Sequence, residues 1–165
     1  MHNRAGFIMF ELLVGITLVM LMVGITCAHI GTYQYTCMKQ QVALFALQWH
    51  ALRQRAMVHS KPQEIVFDEV GNRYQVEGNW YDLPATMRFG FLSASKGPPS
   101  HPTTPIQSAI TFVGKKVICF PDGTIQSGTV YLVDDKKSCM YALTSGVSAV
   151  SFLRKYRYDG TWHGY

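Results

Sequence analysis

One apolar run near the N-terminus constrains this chain more than any other feature. Residues 7–31, FIMFELLVGITLVMLMVGITCAHIG, contain one acidic residue, Glu11, and no lysine or arginine. As a helix this run extends about 37 Å, and the hydrocarbon core of a bilayer is about 30 Å thick. The run therefore predicts a single transmembrane helix over 7–31.

The segment before the run is short, MHNRAG, and carries one arginine. A secretory signal peptide would instead be cut after the apolar stretch, near Thr26 to Ala28, and a lipoprotein signal would need a small-residue box ending at Cys27. Thr26 to Ala28 are small enough to allow conventional cleavage, whereas the residues before Cys27 form a poor lipoprotein box. We therefore favour an anchor that stays in the mature protein, with conventional cleavage as the alternative.

Glu11 is the unusual residue of the run. An ionised carboxylate inside a membrane span costs a few kcal/mol on insertion scales, and such a residue is a functional-site candidate by default. The side chain can instead extend to the cytoplasmic headgroups, which requires no function. Both interpretations stay open on this residue alone.

The setting of Glu11 resembles the prepilin motif of type IV pilins and of the pseudopilins of type II secretion and competence systems. The resemblance rests on Arg4, Gly6, Phe7 and Glu11, followed by the apolar run. It implies that residues 1–6 are a leader, that a membrane peptidase cuts after Gly6, and that Phe7 becomes the N-methylated mature N-terminus. It also implies that Glu11 pairs with the ammonium group of a neighbouring subunit during filament assembly.

The helical period continues beyond the membrane run. Apolar residues recur at alternating steps of four and three, at Met38, Val42, Phe45, Trp49, Leu52 and Ala56. This stripe predicts an amphipathic helix over 32–61. Because no proline occurs before Pro62, one helix is expected from about Phe7 to about His59, with a break near Ser60-Lys61.

After Pro62 apolar and polar residues alternate with the period of β-strands. Strands are predicted at 64–67, 73–77, 87–92, 109–113, 116–120, 128–133, 139–144 and 147–156, with a Pro/Ser/Thr-rich loop at 93–108. Short strands at this spacing are typical of antiparallel sheets. The predicted fold is α+β: a long N-terminal helix, half transmembrane and half amphipathic, packed on an antiparallel sheet or small β-sandwich formed by 62–165.

This second half resembles the GspH/FimT class of minor pseudopilins and pilins. The resemblance rests on Leu52–Ala56, Ile65–Phe67, Leu83-Pro84, Ile110–Phe112, Phe120–Thr124 and Gly128–Leu132. It implies a pilin-like fold and a minor pseudopilin of a type II secretion system, with prepilin peptidase, other pseudopilins and the bacterial inner membrane as partners. It places the N-terminus in the cytoplasm and 62–165 in the periplasm, and it implies no cofactor and no catalysis.

The same class suggests an alternative, a minor pilin of a DNA-uptake pilus. Arg154, Lys155 and Arg157 alternate with tyrosines, and such a segment can bind phosphates and stack on bases. The net charge of +5 is weak evidence for nucleic acid. On a strand, however, Arg154 would lie on one face and the other two cations on the opposite face.

The cysteines and histidines indicate neither a metal site nor an enzyme. The chain has four cysteines and no CxxC pair, and its six histidines are scattered. We find no nucleotide-binding motif and no nucleophile–base pattern. Cys119 and Cys139 are candidates for a disulfide in an oxidising periplasm, but strands on either side of a third strand would hold them about 9–10 Å apart. Pairing stays open.

Overall fold

The computed structural model describes residues 4–93, 95–98, 102–146 and 153–164. The chain divides into two compact units, Met1–Lys39 and Gln40–Tyr165. One α-helix, α1 at Arg4–His59, contributes residues to both units.

In the first unit α1 is long and apolar enough to cross a membrane. The stretch Met9–Thr26 has 18 residues with a mean hydropathy of 2.2, and none of its side chains is buried. These properties establish a candidate span by length and composition, and a signal sequence near an N-terminus shares them. A helix satisfies its backbone hydrogen bonds internally, which is what any segment in hydrocarbon requires.

In the second unit α1 buries the stripe that the sequence predicts. Val42, Phe45, Trp49, Leu52 and Ala56 are all nearly inaccessible to solvent. This confirms the amphipathic period of the helix, because residues three and four apart share one face.

The helix ends at the predicted place. Ser60 has a φ of 51°, the left-handed conformation that closes many helices. The Ser60 N–H donates to the carbonyl of Met57 at 3.4 Å, and the Lys61 N–H donates to that of Ala56 at 3.2 Å. These two bonds form a Schellman-type cap, and Pro62 then cannot continue the helix.

In the described part of the chain, nine strands follow α1 and form two antiparallel sheets. They are β1 Gln63–Asp68, β2 Arg73–Val76, β3 Asn79–Asp82, β4 Met87–Phe89, β5 Lys116–Cys119, β6 Gly128–Asp134, β7 Met140–Ser145, β8 Leu153–Tyr158 and β9 Trp162–Gly164. The first sheet has the order β3-β2-β1-β5, and the second has the order β4-β6-β7-β8-β9. The prediction of an α+β chain with antiparallel sheets is confirmed.

Aromatic side chains join α1 to the first sheet and the first sheet to the second. Phe45 contacts Phe67 of β1 and Tyr74 of β2, with ring centroids 6.0 and 4.9 Å apart. Phe67 in turn contacts Phe89 of β4, across the two sheets, at 5.7 Å. Edge-to-face pairs of this kind add about 0.5–1.5 kcal/mol beyond the area they bury. The helix stripe therefore lies in a core shared with both sheets.

The structure differs from the sequence prediction at three places. β3 and β9 were not expected, because each is only three or four residues long. The expected strand at 109–113 is irregular: Ile110 makes a single bridge to Val130, and Val113–Lys115 forms a 3₁₀ turn. Gly114 and Lys115 have φ values of 68° and 51°, which no regular strand accommodates. Of the expected strand at 147–156, residues 147–152 lie outside the described chain.

Candidate functional site

The N-terminal candidates lie on the first part of α1. Gly6, Phe7 and Glu11 are helical, and the Glu11 side chain is exposed. Within Met9–Thr26, Glu11 is the single ionisable side chain. A carboxylate at this position must be neutralised or paired if the surroundings are hydrocarbon.

The three basic candidates lie on β8, and the register divides them between its faces. Arg154 is opposite Thr144 of β7, whereas Lys155 is opposite Leu143 and Arg157 opposite Tyr141. Residues directly opposite on neighbouring strands share a face. Arg154 therefore lies on one face of the sheet, and Lys155 and Arg157 lie on the other, as the alternation predicts.

The basic side chains on the two faces of β8 have different neighbours. On the Arg154 face, Tyr156, Tyr158 and Trp162 pack against a buried cluster that includes Met140. The Arg154 side chain itself is exposed. On the other face, the Arg157 guanidinium lies 3.3 Å from the carboxylate of Asp159. The structure thus gives no continuous basic surface along β8.

Lys155 instead belongs to a cationic cluster that the sequence did not predict. Its positive charge acts on His50 of α1. Burial lowers the pKa of His50, and the positive charges of Arg53 and Lys155 lower it further. Arg53 is fixed in place because its Nε donates to the carbonyl of Gly123 at 2.7 Å. No local pattern signals this cluster, since its members come from distant parts of the chain.

The Pro-rich loop is held against the second sheet. The indole Nε1 of Trp162 donates to the carbonyl of Lys96 at 3.0 Å, and Lys96 makes a bridge to Pro105. Ile106 packs on the cluster beneath. An open groove of about 760 Å³ lies between this loop and β6–β7. Residues with hydroxyl side chains, such as Thr129, are among those that line it. The described part of the loop is thus a packed element of the fold.

Cys119 and Cys139 lie in different places, and no disulfide joins them in the structure. Cys119 is buried on β5 of the first sheet, and Cys139 immediately precedes β7 of the second. Burial raises the pKa of both thiols to about 11, because it disfavours the thiolate. Both groups are consequently poor nucleophiles at neutral pH.

These features define an α+β protein with one candidate membrane helix and a β-rich unit of two antiparallel sheets. Comparisons with protein-family models, with curated proteins and with solved structures gave no match.

Proposed function

We propose that this chain is a minor pseudopilin, a subunit of the periplasmic filament of a type II secretion system in the bacterial inner membrane. One observation carries the proposal. A single helix, α1, combines an apolar span containing one acid with a buried stripe that packs on a β-rich unit. In this reading the unit has a pilin-like fold, and the protein acts by assembly and without catalysis.

The chemistry of assembly centres on Glu11. Cleavage after Gly6 would create an ammonium group at Phe7. In a low-dielectric surrounding that charge needs a partner, and the Glu11 carboxylate of a neighbouring subunit supplies one. Neither charge is stable there alone, so subunits that pair them are favoured over isolated ones.

Leader processing tests the first step. The chain is incubated with prepilin peptidase in membranes, and the product is sequenced from its N-terminus. We expect cleavage after Gly6, a new N-terminus at Phe7, and an uncut precursor for Gly6→Leu. Gly15→Leu is the matched control, because a Cβ at Gly15 meets no neighbouring atom. A mature chain that begins at Met1, or after Ala28, would refute the proposal.

The role of Glu11 is tested separately. Glu11→Gln keeps the size of the side chain and removes its charge. We expect normal membrane insertion, measured by resistance to alkaline extraction, and a loss of subunit–subunit crosslinks in the filament. Thr17→Val is the control, because the Thr17 hydroxyl donates to the carbonyl of Val14 within its own helix. Wild-type crosslinking of Glu11→Gln would argue against charge pairing.

A minor pilin of a DNA-uptake pilus is the second candidate. It is favoured by Arg154, which is exposed and shares a face of β8 with Tyr156. On this reading Arg154→Ala should weaken DNA binding, and the affinity should fall steeply with added salt. Arg157→Ala should matter less, since Asp159 neutralises that guanidinium. The absence of salt-dependent binding, together with a secretion defect on deletion, would favour the pseudopilus.

A further inference from the structure

Among the residues that the structure describes, the strand β3 forms an open edge of the first sheet. It pairs with β2 on one side, and it is the terminal strand in the sheet order. All four of its residues are exposed. The Leu83 N–H donates to the carbonyl of Asn72, so these two residues form a hydrogen-bonded pair. Hydrogen-bonded and non-hydrogen-bonded pairs alternate along an antiparallel ladder, which leaves Trp80 and Asp82 in non-hydrogen-bonded pairs. The N–H and C=O groups of Trp80 and Asp82 therefore point away from β2.

A groove of about 350 Å³ runs beside this edge on the helix side, and its lining combines apolar residues with polar ones such as Gln41 and Gln48. Leu44 and Leu47 of α1 line it and are 53% and 63% exposed, and Tyr81 of β3 lines it from the sheet. Its wall is rigid, because the Tyr74 hydroxyl donates to Gln48 Oε1 at 2.5 Å and its ring stacks on Tyr81. Exposed leucines beside an open strand edge are a feature of surfaces that bind an extended segment.

Asp82 provides the charge of this edge. Within the described chain the other acids of β1–β3 and their turns are ion-paired, as Glu64–Lys116, Asp68–Arg73, Glu69–Lys115 and Glu77–Arg55. Asp82 has no such pair, since the opposite residue, Arg73, is engaged by Asp68 and by the Trp80 ring. A carboxylate at a strand edge favours a cation on the next strand.

We propose that the β3 edge binds an extended segment of a partner protein, which adds as a fifth strand to the first sheet. Alternate residues of that segment are apolar and enter the groove between Leu44, Leu47 and Tyr81. The intervening residues lie on the opposite face, and a lysine or arginine among them faces Asp82. The inference needs only the unit Gln40–Tyr165 and does not rest on the proposed function.

The probe is a synthetic peptide of about nine residues in which valine and lysine alternate, which is the period of a strand. Two controls have the same length: one replaces lysine with glutamate, and one has the valines and lysines in separate blocks. The full-length chain in detergent is titrated with each peptide, and amide hydrogen exchange is followed. We expect the lysine peptide to bind at least threefold more tightly than the glutamate peptide and to protect the amides of Trp80 and Asp82. The chain's net charge of +5 alone would favour the glutamate peptide.

Two variants separate the groove from the charge. Leu47→Gln should weaken binding of the lysine peptide about tenfold. Val58→Gln, at a more exposed position of α1 outside the groove, should leave that binding unchanged. Asp82→Lys should reverse the preference toward the glutamate peptide. The proposal is overturned if no peptide binds, if the block peptide binds equally well, or if both charges bind alike. Protection of Trp80 that rises with protein concentration and without peptide would assign the edge to a second copy and would also overturn it.

Discussion

Gly128 begins β6 at a point where the backbone touches the ring of Phe112. A Cβ at this glycine would lie 2.5–2.7 Å from three ring carbons, which is closer than side-chain carbons approach. Phe112 cannot retreat easily, because it is 3% exposed and its ring packs on Trp49 at 5.6 Å. Gly128→Ala should therefore force a shift in the core, even though the glycine has no unusual φ.

The expected magnitude follows from overpacking. Inserting a methyl group into a closed core costs about 1–3 kcal/mol. For a chain of this size that corresponds to a fall in Tm of about 2–12 °C. The assay is thermal unfolding of the detergent-solubilised chain, followed by circular dichroism. Gly146→Ala is the matched control, because a Cβ there meets no atom within 4 Å.

A double-mutant cycle tests the cause. Phe112→Ala alone should cost about 3–5 kcal/mol, but it also removes the clashing ring. Adding Gly128→Ala to that background should then cost little, so the two changes should be non-additive by about 1–3 kcal/mol. An unchanged Tm for Gly128→Ala, or strict additivity, would refute the close contact.

Three other predictions concern polar and titratable groups. The pKa values of Cys119 and Cys139 are raised from 9.0 to about 11, so the thiolate form of each at neutral pH should be about 100-fold scarcer. Alkylation of these cysteines, measured by mass spectrometry, should therefore be slow until the chain unfolds. Rapid labelling of the native chain would contradict this. Burial, with a smaller contribution from Lys155, lowers the pKa of His50 in the folded chain. The unfolded chain therefore binds more protons than the folded chain, and the free energy of unfolding should fall as the pH drops below about 6.5. Lys155→Gln should raise the pKa of His50 in an NMR titration, and an unchanged value would exclude the electrostatic effect of Lys155. Asn72 has a φ of 52°, and its side chain bonds two backbone groups of β4 at 2.9 and 3.0 Å. Asn72→Ala should therefore lower the free energy of unfolding in urea by about 1–3 kcal/mol, and Asn72→Gly should lower it less, since glycine tolerates that φ. A larger loss for glycine than for alanine would contradict this explanation.

The sequence by itself determined the elements whose pattern is local. The apolar run predicted a candidate span, and the steps of three and four predicted which residues of α1 are buried. Pro62 and the residues before it predicted the end of the helix at His59. Alternation located most strands, because the two periods of side-chain direction are properties of the backbone and can be read from consecutive residues.

Only the tertiary structure decided how the strands combine. It placed β1 between β2 and β5, left β3 as an edge of the described sheet, and let the charge of Lys155 act on His50. Short strands such as β9 carry too few residues for a period to be visible, and they exist because a neighbouring strand supplies hydrogen bonds. The open edge with its groove and the division of the basic residues between two faces depend on contacts between distant segments. Pairing of that kind is selected by the packing of the whole core, which no single stretch of sequence specifies.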